Sequence, residues 1–342
     1  MRTLLEILTT APGVSGRESG AAETFSAVLM PYCENIELDA LGNVIASVNG
    51  FQEGRKALML EAHTDKIGLM VRHITKEGFL LVCPVGGFDT KILPASSVRI
   101  YGKEVLHGVI CSIPPHIQSA DKAPDMKTLC VDTGLSPEKV SALIKIGDVM
   151  EFETDFTPLG KNMAAASAMD DRAGLAVIVK TLEMLKDIEL PFNIAVVGAV
   201  QEEVGLRGAG SAAYNLKPHA AICIDVCHGK TPDASGRDTF EMGKGPVITV
   251  GPNVQRNVSD RLIHVAKKTE IPYQIDVDSG CTGTDAWVVQ VARKGVYTGL
   301  LSLPLRYMHA GYEVLHIDDA ENAARLLAAV IKDLGKQGEL CF

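Results

Sequence analysis

Three short apolar runs in this chain each lead into acidic or imidazole side chains. LMLEAH ends at His63, the run from Asn193 to Val200 opens into Gln201, Glu202 and Glu203, and AAICIDV carries Asp225 near its end. Continuous apolar runs of this length predict strands buried on both faces, and such strands need helices above and below them. Helical spacing is present where those layers require it. Leu175, Ile178, Val179, Leu182 and Leu185 form one stripe, and Ala320, Ala324, Leu327, Ile331 and Leu334 form another that is predicted to stop at Gly335. Strands alternating with helices imply a layered α/β architecture.

The stretch from about Ile67 to Lys161 has a different texture. FLLVCPV, SSVRIYG, LHGVICSI and DVMEFET are short β-like runs separated by Gly, Pro and Asp, with SPEKVSALIKI as the one helical candidate. With α/β character on both sides, this stretch reads as a small β-rich domain, residues 67–161, inserted into a discontinuous catalytic domain of residues 1–66 and 162–342. A length of 342 residues with 46% hydrophobic content supports a substantial core. The formal charge of -9 argues against a nucleic-acid or anionic-membrane partner, and no stretch is apolar for long enough to span a bilayer. The first apolar run is too short for a secretory signal, so a cytoplasmic location is expected. Ser15 and Glu18 read as a capping box opening the second helix. The 8 cysteines form no tight ligand pairs and read as reduced, mostly buried thiols.

Ligands of open α/β sheets bind where strands end at their carboxyl edge. Five places fit: His63 with Asp65, Asp170 with Asp171, Glu202 with Glu203, Asp225, and His309 in LPLRYMHAG. Singly, each has a structural explanation, such as a buried hydrogen-bonded histidine or a helix-capping aspartate. Jointly, carboxylates sharing one crevice would resist ionisation unless cations neutralised them. Histidines with aspartates and glutamates suit Zn²⁺, Co²⁺ or Mn²⁺ better than Ca²⁺, and the number of donors suits two ions with one carboxylate bridging them. Two such ions share a water, lower its pKa and polarise the carbonyl it attacks, which is the chemistry of amide hydrolysis.

HTDKIGLMV, VGGFDTKILP, GVICSIPPH, VDTGL, AMDDRAG, QEEVGLRGA, IDVCHG, GTDA and LPLRYMH occur in this order along the chain. On these motifs, running end to end, the chain resembles the M42 metallo-aminopeptidases, which include glutamyl and leucyl aminopeptidases that form tetrahedral particles. The resemblance implies a zinc-peptidase-like three-layer α/β catalytic domain with a mixed central sheet, and an inserted β-barrel-like dimerisation domain. It implies two divalent ions per subunit, Zn²⁺ or Co²⁺ first and Mn²⁺ next. His63 and Asp225 would bind one, Glu203 and His309 the other, and Asp170 both, with the Asp170–Asp171 bond often cis in such proteins. Asp65 would orient His63, and Glu202 would be the general base that takes a proton from the bridging water and returns it to the leaving amine. The expected activity is release of the N-terminal residue from short peptides. The expected self-association is a dimer through the β domain and then a homododecamer.

Departures from the family pattern leave some roles open. Cys227 stands where a small hydroxyl residue is frequent, and Cys281 and Trp287 sit in a stretch usually rich in small residues. Cys227 could bring thiol sensitivity or an altered metal preference or only pack, His228 and Arg306 could touch substrate or make structural hydrogen bonds, Asp285 could serve a specificity pocket or the folding of its loop, and His116 in the Pro114–Pro115–His116 turn is read as structural. The competing functions are an endoglucanase-like glycoside hydrolase, a di-metal deacylase or carboxypeptidase-type amidohydrolase, and a noncatalytic binding protein. Paired carboxylates alone would serve the first, but 5% aromatic residues with a single Trp offer it few stacking platforms. The last would be expected to lack a ligand or the base, and neither is missing.

Overall fold

In a computed structural model of the protein, residues 1–113, 124–234, 236, 238–338, 340 and 342 are described. Pro114, Pro115 and His116 therefore lie outside the described residues. The main body is an 11-stranded mixed sheet. From one edge it runs Cys33–Leu38, Val44–Val48, Asn193–Ala199, Ala57–His63, Ala220–His228, Tyr297–Arg306, Glu313–His316, Met163–Ala166 and Thr157–Leu159. Val247–Val250 branches from Tyr297–Arg306 and carries the edge strand Gln274–Val277.

The three apolar runs occupy the middle of this sheet. Ala57–His63 is flanked in parallel by Asn193–Ala199, with Ala199 opposite His63, and by Ala220–His228. Parallel pairing puts the carboxyl ends of all three on one edge, so His63, the Glu202–Glu203 turn and Asp225 emerge together. Such pairing also requires cover on both faces. One face packs Leu58, Leu60, Val196 and Ile222 against the helices Met169–Leu185 and Ile317–Lys336. The other packs Met59, Val197 and Ala221 against the smaller helices Arg207–Leu216 and Ala286–Val289. This is the three-layer α/β class expected from the sequence.

A second unit closes on itself. Gly68–Ile74, Leu80–Val85, Cys130–Asp132, Val105–Ile110, Ser97–Tyr101 and Val149–Phe152 form a closed six-stranded barrel around its own core of Leu69, Val82, Ile100, Val131 and Met150. Its first strand starts five residues after His63, and the chain returns to the main sheet directly after its last. Thr157–Leu159, inside the 67–161 segment of the sequence reading, pairs with Met163–Ala166 at the edge of the main sheet instead. Barrel and sheet are tied by a buried ion pair: Lys66 Nζ lies 2.6 Å from Glu151 Oε2, and Tyr101 donates its hydroxyl to Glu151 Oε1 at 2.5 Å.

Two local expectations need correction. The second helix spans Ser19–Leu29 without a side-chain cap. The helix starts later than a Ser15 cap would require, with Glu18 at its N-cap position, and Ser15 Oγ instead donates to the buried carboxylate of Asp65 at Oδ2, 2.5 Å away. The last helix continues past Gly335 to Lys336, since the apolar contacts of Leu334 and its predecessors hold that turn in place and a single glycine costs only about 1 kcal/mol there.

Candidate metal centre

Asp170 sits at the start of the long helix Met169–Leu185, where the backbone of Asp170 and Asp171 is not yet helical and the peptide between them is cis. Its two carboxylate oxygens face different histidines. Oδ1 lies 3.1 Å from His63 Nε2, and Oδ2 lies 3.3 Å from His309 Nε2. His309 Nε2 is also 3.3 Å from Glu203 Oε2. Two sets of donor atoms result, each within 4.8 Å of one another: His63, Asp170 and Asp225, then Asp170, Glu203 and His309. The sequence-nominated ligands thus meet in one place, and Asp170 belongs to both sets.

The donor chemistry fits divalent cations. Burial raises the Asp225 and Glu203 carboxyls well above their ordinary range, and the nearby Asp170 charge adds to this. Asp170 itself is held low: burial opposes its charge, but the contacts of His309 and His63 outweigh that. For His63, burial disfavours the cation, whereas Asp170 and Asp65 favour it and win. A largely buried cluster with more carboxylates than imidazoles is what a divalent ion would neutralise.

Asp65 organises the other side. Fully buried, it accepts the backbone N–H groups of Glu202 at Oδ1 (3.0 Å) and Glu203 at Oδ2 (3.2 Å). Its Oδ1 also lies 3.4 Å from His63 Nδ1. One carboxylate therefore fixes an imidazole and the turn that presents both glutamates. Glu202 is only partly buried, faces the cavity, and makes no side-chain hydrogen bond with the described residues. Burial, reinforced by Asp285, Asp170 and Asp65 against the opposing His63, pushes its pKa up to about 8.

Sequence reasoning missed Glu313. This buried residue accepts the backbone N–H of His309 at Oε1 (2.8 Å) and of Asp170 at Oε2 (3.1 Å). The available signal was an acid opening the apolar run EVLHI, four residues after His309. Ala168, Gln201 and His309 all have positive φ. Left-handed backbone in non-glycine residues costs of order 1–3 kcal/mol each and collects where side chains must be aimed. Glu61 was missed too: it lies two residues before His63 on the same strand face, buried against Asp285 and Cys223, with burial pushing its pKa up to about 7.

The residues left open fall into place individually. Asp285 is buried and packs behind the site with Glu61. Arg306 Nε donates to the Lys230 carbonyl at 2.7 Å and does not line the cavity. Cys227 and His228 do line it, and burial holds the Cys227 thiol well above its usual pKa, hence protonated. Asp171 Oδ1 caps Gly174 N at 3.1 Å. No helix among the described residues is long and apolar enough to cross a membrane.

A sequence profile described as M42 glutamyl aminopeptidase matches residues 42–326. A lysyl aminopeptidase of Pyrococcus furiosus is 37% identical over 339 residues, covering 97% of this chain and 96% of the relative. Among solved structures, an aminopeptidase from the archaeon Desulfurococcus kamchatkensis superposes with a TM-score of 0.91 at 33% identity, over 98% of this chain and 96% of that one. The TET1 peptidase of Pyrococcus horikoshii, described as assembling into a tetrahedron or a large octahedral shell, superposes with a TM-score of 0.85 at 32% identity, over 96% and 98%.

Proposed function

The chain belongs to the M42 aminopeptidase family, and from that premise we propose that it is a metal-dependent aminopeptidase releasing the N-terminal residue of short peptides. The observation that carries this is the sharing of Asp170 between two donor sets, with the uncommitted carboxylate of Glu202 facing the same cavity. His63 and Asp225 would hold one divalent ion, Glu203 and His309 a second, and Asp170 both, with Zn²⁺, Co²⁺ and Mn²⁺ the ions this donor mixture suits. When bound, such ions lower the pKa of a water and polarise the scissile carbonyl.

Every remaining part of the reaction falls to the chain. Glu202 takes the proton of the attacking water on a carboxylate oxygen and delivers it to the nitrogen of the leaving amine. Asp65, through the backbone N–H of Glu202, keeps that carboxylate at the mouth of the site. The free amino terminus of the peptide, a cation, meets the acidic surface around Glu202. A glycoside hydrolase reading draws no support from this arrangement, because two imidazoles locked onto one aspartate have no part in that chemistry.

The barrel is the proposed self-association surface, leading to a dimer and then to a dodecamer. Val105, Val109 and Ile113 expose large apolar side chains on it, and the TET1 relative forms closed shells. The test of the whole reading is metal-depleted protein re-supplied with Zn²⁺, Co²⁺ or Mn²⁺ and assayed on single-residue amides beside an N-blocked control. Metal-restored cleavage of free-amine substrates alone is expected. Cleavage of the blocked control, or activity that ignores metal, would overturn it. Light scattering on the same sample reads the assembly.

A further inference from the structure

The cavity beside the metal centre is acidic well beyond the residues that the reaction needs. It measures about 540 Å³, within the usual range for a small-molecule pocket. It is lined by Asp170, Glu202, Asp225 and His309 of the metal centre and also by Asp238, Asp276 and Asp278. Among the described residues no lysine or arginine lines it. Arg306, the cation nearest in sequence to His309, is spent on the Lys230 carbonyl.

Asp276 comes from the edge strand Gln274–Val277, half-buried, with no ion pair among the described residues. Burial, and then the charges of Asp278 and Asp238, raise its pKa. That is the signature of carboxylates facing one another with no counter-charge among the described residues. Asp278 spends Oδ1 on the N–H of Gly280 at 2.8 Å. Phe240 and Met308 supply apolar surface in the same cavity.

We infer that this cavity receives the side chain of the peptide's first residue and selects cationic ones, lysine and arginine, with Asp276 and Asp278 as the specificity-determining carboxylates. The inference rests on the proposed aminopeptidase function. An ammonium or guanidinium on an apolar stem fits such a site, its methylenes on Phe240 and Met308 and its charge at the acidic wall. A glutamyl side chain adds a further like charge, and a leucyl side chain leaves the carboxylates desolvated and unpaired. The α-amino group is common to all these substrates, so its own attraction to the site cancels in any comparison among them.

The test is kcat/KM of the metal-loaded enzyme for lysyl, arginyl, leucyl and glutamyl amides. Lysyl and arginyl substrates are expected to exceed leucyl by at least tenfold, about 1.4 kcal/mol, and glutamyl by more, with the margin shrinking at high salt. In Asp276→Asn and Asp278→Asn the lysyl-to-leucyl ratio falls, and in Asp276→Lys the lysyl-to-glutamyl ratio moves towards inversion, which misfolding could not produce. Leucyl or glutamyl amides cleaved as fast as lysyl ones, or ratios unmoved by all three variants, would overturn the inference. Loss of activity on every amide in the unaltered enzyme would instead overturn the aminopeptidase reading beneath it.

Discussion

Glu313 receives the backbone N–H of His309 at 2.8 Å, and its second oxygen receives that of Asp170 at 3.1 Å. One buried side chain thus sets the spacing of two donors that sit 139 residues apart in sequence, 309 less 170. Both are backbone contacts, so Glu313 shapes the site without competing for what the site holds.

Replacing Glu313 by Gln converts one acceptor into a donor aimed at an N–H group. Residues that orient ligands typically cost about 10–100-fold in metal affinity or activity when altered, and a loss in that range is expected for both. Zinc affinity in a chelator competition assay and kcat/KM are the readouts. Unchanged affinity would mean that Asp170 and His309 hold their places without Glu313.

The adjacent glutamates should separate cleanly. Glu202→Gln is expected to lower kcat by about 10²–10⁴-fold, the usual contribution of a general base, while metal content stays that of the unaltered enzyme. Glu203→Gln should lose metal from one site first. Mass-spectrometric metal counts on the two purified variants decide the matter, and equal metal loss in both would refute the division of roles.

Ser15 supports the same centre from the first loop of the chain. Its hydroxyl is one of three donors to Asp65 Oδ1 and Oδ2, beside the N–H groups of Glu202 and Glu203. Ser15→Ala removes a hydrogen bond to a buried carboxylate, worth about 1.5–3 kcal/mol. A stability loss of that size is expected in urea titrations, with kcat/KM reduced less than in Asp65→Asn, which disturbs His63 and both glutamates at once. A larger kinetic loss in Ser15→Ala than in Asp65→Asn would contradict this hierarchy.

The parts of the site that were legible in the sequence share one property: they end apolar runs. His63 ends one buried parallel strand, Glu203 follows a second and Asp225 lies near the end of a third, and parallel pairing carries them to one edge. Asp170 and His309 were also nominated, but their pairing with particular partners came from family resemblance, because nothing in a linear pattern reports which oxygen faces which imidazole. Glu313 and Ser15 were illegible as site residues for a related reason. Their roles include contacts to Asp170 and Asp65 across 143 and 50 positions of sequence, and local propensity offered Ser15 a cap that tertiary structure overrode. The barrel form likewise came from the family resemblance, since Gly68–Ile74 and the three-residue strand Cys130–Asp132 gain meaning only from their neighbours.

The carboxylates also fix how stability should respond to pH when metal is removed. Burial raises Glu202 and Glu313 to about 8 and Glu61 to about 7, against about 4.3 for an unfolded glutamate. Between those limits the folded chain binds more protons than the unfolded one, so stability falls as pH rises. His63 and His309, whose pKa values are raised by their carboxylate partners despite burial, act in the same direction. Their contribution is complete below the unfolded value of about 6.5 and is lost as pH passes the folded one. Asp65 and Asp170, held low by His63 and His309 against burial, keep their full contribution throughout this range. In excess chelator, the melting temperature should therefore drop between pH 5.5 and 8 by more than about 5 °C, which at about 2.1 cal/mol/K per residue is roughly 3–4 kcal/mol or more in a chain of this size. Zinc should reverse the trend, because the ligands must shed protons to bind it and its affinity rises with pH. Scanning fluorimetry with chelator and with zinc across that range gives both curves. A chelated protein that grows more stable towards pH 8, or a zinc increment that shrinks there, would show that these carboxylates do not share one buried site.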